Sequence, residues 1–172
     1  MNLQQALLTD YESVQSFYED VIERTPGIGC YARWQKEKHP TSDGIKSYIR
    51  EGSLYLYREQ DVLAGAMAVT MYQGGDYHAI EWSCNVADNE VAVIHILAVS
   101  PDKQGTGIGS KMIREAIQLA HNKGMKAIRL DVLASNTPAQ RLYERLGFAY
   151  RGKQHLYAEN TEWTDFYFFE YK

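Results

Sequence analysis

Between Val91 and Ile113 the chain reads VAVIHILAVSPDKQGTGIGSKMI. An apolar run broken by one histidine passes through Ser-Pro-Asp into a loop with glycines at 105, 107 and 109, and then into an amphipathic pattern. A strand that feeds a glycine-rich loop and a helix N-terminus can hold an anion. The loop backbone approaches the ligand closely, and the first helical N–H groups have no intrahelical partner. Gln104, Gly105, Thr106, Gly107, Ile108, Gly109 and Ser110 are therefore the candidate cradle. Three readings compete for its ligand. A Walker loop needs G-x-x-x-x-G-K-[ST]; counted from Gly105, Ser110 stands at the second glycine and Met112 at the hydroxyl that would hold magnesium. A dinucleotide fingerprint needs G-x-G-x-x-G on a βαβ unit with an acid about 20 residues on. Gly105, Gly107 and Ser110 come near it, and Asp131 is an acid at that distance. Against it, residues 101–104 separate strand from glycines, and the chain after Asp131 is too short and too antiparallel for further βα repeats. The third reading draws on residues 130–148 as well as on the loop.

The length of 172 residues fits one domain spanning 1–172. A hydrophobic content of 45% and a charged content of 23% are ordinary for a globular chain. The formal charge of −4 argues against nucleic acid as the main partner, because a whole-surface basic footprint is missing. Cys30 and Cys84 have no metal-ligand spacing, so no metal site is expected, and a reduced, cytoplasmic setting is the simplest reading. Residues 1–14 lack a basic segment followed by an apolar one, so no signal peptide is read there. No apolar stretch approaches the ~20 residues of a membrane span. The 13 tyrosines exceed what a core needs and point to a pocket or interface.

The elements that must position the loop follow from periodicity. Residues 3–8 read as a first strand. Asp10 stands at an N-cap position ahead of a helical stripe, Val14, Phe17, Tyr18, Val21 and Ile22, which Thr25-Pro26-Gly27 ends. Residues 27–40 are irregular, either a surface loop held by its aromatics or a pocket wall. Thr41-Ser42-Asp43 caps a short helix with Ile45, Tyr48 and Ile49 on one face, stopping at Gly52. Residues 54–58 and 62–72 form a hairpin, and 77–84 a further strand. After the organising segment, residues 127–133 are a strand. Thr137-Pro138-Ala139-Gln140 has the form of a capping box with proline at the first helical position, and Ala139, Leu142, Tyr143 and Leu146 make the apolar face. Two last strands lie around 148–157 and 163–171. The expected fold is an α/β mixed sheet, mostly antiparallel and flanked by helices, with a crossover helix at its centre.

Apolar strand, Ser-Pro, then Q-x-x-G-x-G at Gln104, Gly107 and Gly109 resembles the acyl-CoA-binding motif of the GNAT superfamily, the Gcn5-related N-acetyltransferases. LDVLASNTPAQRLYERLGF, residues 130–148, is similar to that superfamily's following strand, its asparagine and its tyrosine-bearing helix. The close match covers 91–148; the N-terminal half agrees in element order only. The resemblance implies a GNAT-like acyl-CoA N-acyltransferase fold and acetyl-CoA as cofactor. It implies that the two central strands splay to admit the pantetheine arm. Leu97, Ala98 and Val99 would offer backbone groups to it, Asn136 would hydrogen-bond it, and Ala139 and Tyr143 would lie beside it.

Acyl transfer to an amine needs a neutral nitrogen, donors for the oxyanion and a proton for the departing thiolate. The likeness places Tyr143 at the superfamily's general-acid position, although periodicity alone makes it a core residue. His95 interrupts an apolar strand, where a buried polar group needs a partner. Alternation puts it on the same face as Leu97 and Val99. HILAV also resembles the H-x-L-A-V of arylalkylamine N-acetyltransferases, whose strand histidines assist proton removal, but Val93 stands where that group has its other histidine. His95 is thus the candidate base, and Glu81, on the strand expected nearby, is the second. For the oxyanion a backbone N–H near Leu97 is expected. Tyr31, Trp34, His39, Tyr72, Trp82, Phe166, Tyr167 and Phe168 suggest an aromatic pocket for a small-molecule primary amine. A homodimer is an option. The alternative is a non-catalytic acyl-CoA-binding sensory or regulatory module.

Overall fold

A computed structural model describes residues 3–172. In chain order it contains β1 (Leu3–Gln5), a 3-10 turn (Leu8–Asp10), α1 (Tyr11–Arg24), α2 (Ile28–Tyr31), α3 (Ser42–Arg50), β2 (Leu54–Glu59), β3 (Val62–Thr70), a 3-10 turn (Gly75–Ala79), β4 (Val91–Val99), α4 (Ile108–Asn122), β5 (Ala127–Leu133), α5 (Thr137–Arg145), β6 (Ala149–Ala158) and β7 (Glu162–Tyr171). The strands form one sheet in the order β1-β2-β3-β4-β5-β7-β6. Every neighbouring pair is antiparallel except β4–β5, which α4 joins as a crossover. The expected mixed, mostly antiparallel sheet flanked by helices is what the chain forms.

Each helix buries the stripe its periodicity marks. Ile108, Met112, Ile113, Ala116 and Ala120 of α4 pack with Met67, Val69, Ala92 and Ile94 on one face of the sheet. Val14, Phe17, Tyr18 and Val21 of α1, with Ile45 and Ile49 of α3, pack with Ala66, Ala68 and Ala98 on the other. The Thr41 hydroxyl oxygen accepts from the Gly44 N–H at 3.0 Å and caps α3.

Four local expectations are corrected. The first strand is only three residues long, and 8–10 form a turn instead. Asp10 precedes α1 without capping it; its carboxylate accepts from the Leu7 N–H at 2.8 Å and pairs with Arg58 at 3.3 Å. The helix α5 begins one residue early, so Asn136 is the N-cap, and Gln140 donates to the Leu133 and Ala134 carbonyls rather than closing a capping box. Residues 77–84 form no strand. Both edges of β3 are taken by β2 and β4, so the segment forms no ladder beside the strand it follows. It turns at 75–79 and packs Tyr77, Ile80 and Trp82 against Phe168.

Candidate active site

The β4–β5 pairing holds at only three positions, Val91↔Ala127, Ala92↔Ile128 and Val93↔Arg129. The remaining halves of the two strands part and line a cleft of about 600 Å³. The opening has a cause in β4. Ala66 faces Ala98 and Ala68 faces His95, so Met67 alone opposes Ile96 and Leu97 together. This is a β-bulge, with Ile96 at φ 45°, and bulges bend a strand out of its ladder. The buried Tyr18 hydroxyl donates to the Ile96 carbonyl at 2.9 Å and satisfies it at the bulge. At the closed end, Arg129 and Glu170 face each other across β5–β7 and pair at 3.0 Å, both almost fully buried. Arg129 also donates to Gln73 at 2.6 Å and to the Cys84 carbonyl at 2.6 Å, and lies over Trp82 at 4.0 Å.

The glycine loop lies at one mouth of the cleft. Gly105 and Gly107 have φ 77° and 88°, the left-handed region that glycine enters freely. A Cβ built on either meets nothing within 4 Å, so both face open space that a side chain would fill. Gly107 leads directly into α4, whose first N–H groups lack intrahelical partners. Gly109, in the first turn of α4, differs: a Cβ there would meet Leu142 at 3.4 Å and Val99 at 3.6 Å, ordinary contact distances, so it faces packed side chains and not open space. The Gln104 side chain donates to Thr25 at 2.9 Å and to the Val99 carbonyl at 3.2 Å, tying the loop to α1 and β4. Thr106, expected in the cradle, is not among the residues lining the cleft. Its hydroxyl donates to the Lys103 carbonyl at 2.6 Å and closes a turn. Gln104, Gly105, Gly107, Ile108, Gly109, Ser110, Leu97, Ala98, Val99, Asn136, Ala139 and Tyr143 all line it. An open glycine cradle, a helix N-terminus and a strand edge without a partner fit a pyrophosphate followed by an amide-rich arm.

Tyr143 stands on the cleft wall, buried against Phe148 and Phe169. Burial, reinforced by the Asp131 charge, raises its phenol pKa above the ordinary value. It therefore carries its proton throughout the working pH range.

His95 also lines the cleft, but not on the face expected. The bulge inverts the alternation: His95 and Ala98 share the face of Ala66 and Ala68, while Leu97 and Val99 pack toward α4. Burial lowers its imidazole pKa, and Asp131 and Glu51 oppose that effect. Its ring stacks on Tyr48 at 5.7 Å, and Nε2 lies 3.3 Å from the Thr70 hydroxyl. That hydroxyl already donates to the Tyr72 carbonyl at 2.8 Å. A hydroxyl has one proton, so Thr70 accepts from His95 Nε2–H, and the ring's lone pair sits at Nδ1.

Glu81 is corrected. Without the expected strand it is exposed on the 80–87 loop and does not line the cleft. Of the expected aromatic wall, Tyr31, Trp34, His39 and Phe166 line the cleft. Tyr72 is exposed, Trp82 serves Arg129, Tyr167 packs on Tyr150, and Phe168 is core.

The sequence model of the acetyltransferase (GNAT) family matches residues 14–148. The chain belongs to that family. Acetyl-CoA is the GNAT family's cofactor, and the cradle, the split and the residues beside them are where it would be held. An uncharacterized N-acetyltransferase of Methanocaldococcus jannaschii is 42% identical over 67 residues, 39% of this chain and 30% of that protein. A mycothiol acetyltransferase of an Arthrobacter species is 38% identical over 58 residues, 34% of this chain and 18% of that one. The chain thus spans less than a third of the length of these relatives. The fold is shared with a Salmonella typhimurium protein solved with its cofactor acetyl-CoA, at TM-score 0.71 and 17% identity over 100% of this chain and 93% of that one.

Some residues of this GNAT site carry little sequence signal. Tyr48 reads as a helix-face core residue yet stacks on His95; Tyr18 reads the same way yet satisfies the bulge. Asp131 reads as a spacing coincidence yet lies on the cleft wall and accepts from the Tyr77 hydroxyl at 2.6 Å. An acid between Leu130 and Val132, in a strand whose one other charged residue is Arg129, is the clue the sequence offers.

Proposed function

We propose that this chain transfers an acetyl group from acetyl-CoA to the primary amine of a small molecule by direct attack, with Tyr143 as general acid and His95 as base. One observation carries the reading: a single split between β4 and β5 has a glycine cradle at its mouth and both proton-handling groups on its walls. Bound acetyl-CoA supplies a thioester carbonyl for the amine to attack and a sulfur that leaves as thiolate. The chain handles the protons. His95 Nδ1 takes one N–H proton from the incoming ammonium and passes it to solvent, freeing the nitrogen lone pair. Tyr143 gives its phenol proton to the departing sulfur and is restored by the second N–H proton. The sum is ammonium plus thioester giving amide, thiol and one proton. Backbone N–H groups of β4 near Leu97, which have no β5 partner, serve the oxyanion. The amide nitrogen of Asn136 is left for the arm, because its oxygen accepts from Ala139 N–H at 3.3 Å.

A small acceptor is favoured because the far side of the cleft is roofed. Ser135 donates to the Tyr31 carbonyl at 2.8 Å and Asn160 to the Arg33 carbonyl at 3.2 Å, tying residues 31–33 to the β5–α5 turn and to the β6–β7 turn. Thiol release from acetyl-CoA across a panel of amines tests the reading. Turnover that depends on the amine is expected. Tight acetyl-CoA binding with no turnover on any amine would overturn it in favour of a binding module.

A further inference from the structure

We infer that Asp131 is the anchor for the acceptor, holding the incoming amine as its ammonium and selecting amines with no carboxylate beside the nitrogen. The inference rests on the acetyltransferase reading above and names its substrate class. Asp131 lies on β5 two positions beyond the last β4 partner, Arg129, where the strands have already parted. The Tyr77 hydroxyl, from the segment packed under β5, donates to Oδ1 at 2.6 Å and fixes the carboxylate. Among the described residues no other donor bonds to it, so Oδ2 is left for a ligand. Its charge acts on four groups that line the cleft, His39, Tyr48, His95 and Tyr143, as well as on Tyr77 beneath it.

The distribution of the opposite charge sharpens the class. Among the described residues, the only Lys or Arg side chains on the cleft wall are Lys103, in the turn before the glycines, and Arg145, in the last turn of α5. Neither belongs to β4, β5, residues 21–48 or the β6–β7 hairpin. An acceptor with its own carboxylate would bring a second anion beside Asp131 with no cation to offset it. An amine without one finds a carboxylate for its nitrogen and the rings of Tyr31, Trp34, Tyr48 and Phe166 for its apolar part.

The test pairs each of several amines with the amino acid that decarboxylates to it. Both kcat/KM and calorimetric binding to the CoA-loaded protein are measured, for the unaltered protein and for Asp131→Asn. Asparagine keeps an oxygen for Tyr77 and removes the charge. The unaltered protein should prefer the amine by about a hundredfold, the scale of two uncompensated like charges about 6 Å apart at an effective dielectric of about 20. Asp131→Asn should reduce that preference to about tenfold or less, weaken amine binding about tenfold, and leave acetyl-CoA affinity unchanged. Amino acids used as well as their amines, or an unaltered ratio in Asp131→Asn, would overturn the anchor while leaving the acetyltransferase reading standing. If no amine is turned over but amines bind the CoA-loaded protein and Asp131→Asn weakens them, the enzyme reading fails and the anchor stands.

Discussion

Replacing Thr70 by valine tests the proposed proton path through its least conspicuous member. Thr70 is buried, donates to the Tyr72 carbonyl at 2.8 Å and accepts from His95 Nε2–H at 3.3 Å. Valine keeps the volume and removes both bonds. A net neutral hydrogen bond is worth about 0.5–1.5 kcal/mol, and a buried group left unpaired costs about 1–3 kcal/mol. The fold should therefore lose about 1–3 kcal/mol, read by urea unfolding. Losing about 1 kcal/mol of tautomer preference lets the ring populate Nδ1–H, in which the lone pair sits on Nε2, against residue 70, and not on the nitrogen assigned to the base. That lowers kcat/KM by about two- to tenfold, while Thr70→Ser restores it. Imidazole ¹⁵N shifts report the tautomer directly. The pH dependence has a defined sign. Burial lowers the His95 pKa below the ordinary value, so between that lowered value and about 6.5 the unfolded chain binds more protons than the folded one. Its contribution to stability is full above about 6.5 and is lost as pH falls through the lowered value. Activity should fall over the same acid limb, and His95→Ala should remove that limb. A protonated Nδ1 in the unaltered protein, or an acid limb unchanged in His95→Ala, would refute the reasoning.

Tyr143→Phe should lower kcat about a hundredfold or more while acetyl-CoA affinity stays within about twofold, because a phenol raised by burial and by Asp131 is an acid and not a base here; unchanged turnover would remove it from the mechanism. Gly107→Val forces a β-branched residue to φ 88° and fills the open side of the cradle; about 1–2 kcal/mol of strain and at least a tenfold weaker acetyl-CoA affinity by calorimetry are expected. Glu170→Ala strands Arg129 without its buried partner and should cost about 3–5 kcal/mol in denaturant unfolding, a loss that a structural lock requires and a catalytic role does not.

Legible in the sequence is whatever depends on short-range pattern. The α1 stripe and the Thr41 cap each follow from neighbours a few residues apart, and each is found where expected. Hidden from it are pairings between distant segments. Strict alternation predicts one face for His95, Leu97 and Val99; only the register against β3 reveals the extra residue at Ile96 that separates them. Residues 77–84 carry a passable strand pattern, and nothing local announces that both edges of β3, the strand before them, are already taken. The expected place of Glu81 fails for that reason alone. Thr106 groups with its glycine neighbours in sequence, because a loop's side-chain directions cannot be read from its composition.

The 77–84 segment also explains why the split in the sheet stays where it is. Alternation along β5 sends Leu130 and Val132 into the α4 core and leaves Arg129 and Asp131 on the opposite face. One of these charges sits at the closed end of the β4–β5 pair and the other at the open end. The 77–84 segment touches both. The Tyr77 hydroxyl donates to Asp131, Trp82 covers Arg129, and Ser83 donates through its backbone N–H to Glu170 at 3.1 Å. Arg129 is fully matched by its carboxylate and amide partners, so it holds the strands together. Asp131 is matched by a neutral hydroxyl only, so it keeps a charge to offer. The same stretch of chain thus fixes the lock that closes the sheet and presents the carboxylate that the opening exposes. The lock uses the Ser83 N–H and the Cys84 carbonyl, backbone groups that a ladder strand would have committed to a neighbouring strand.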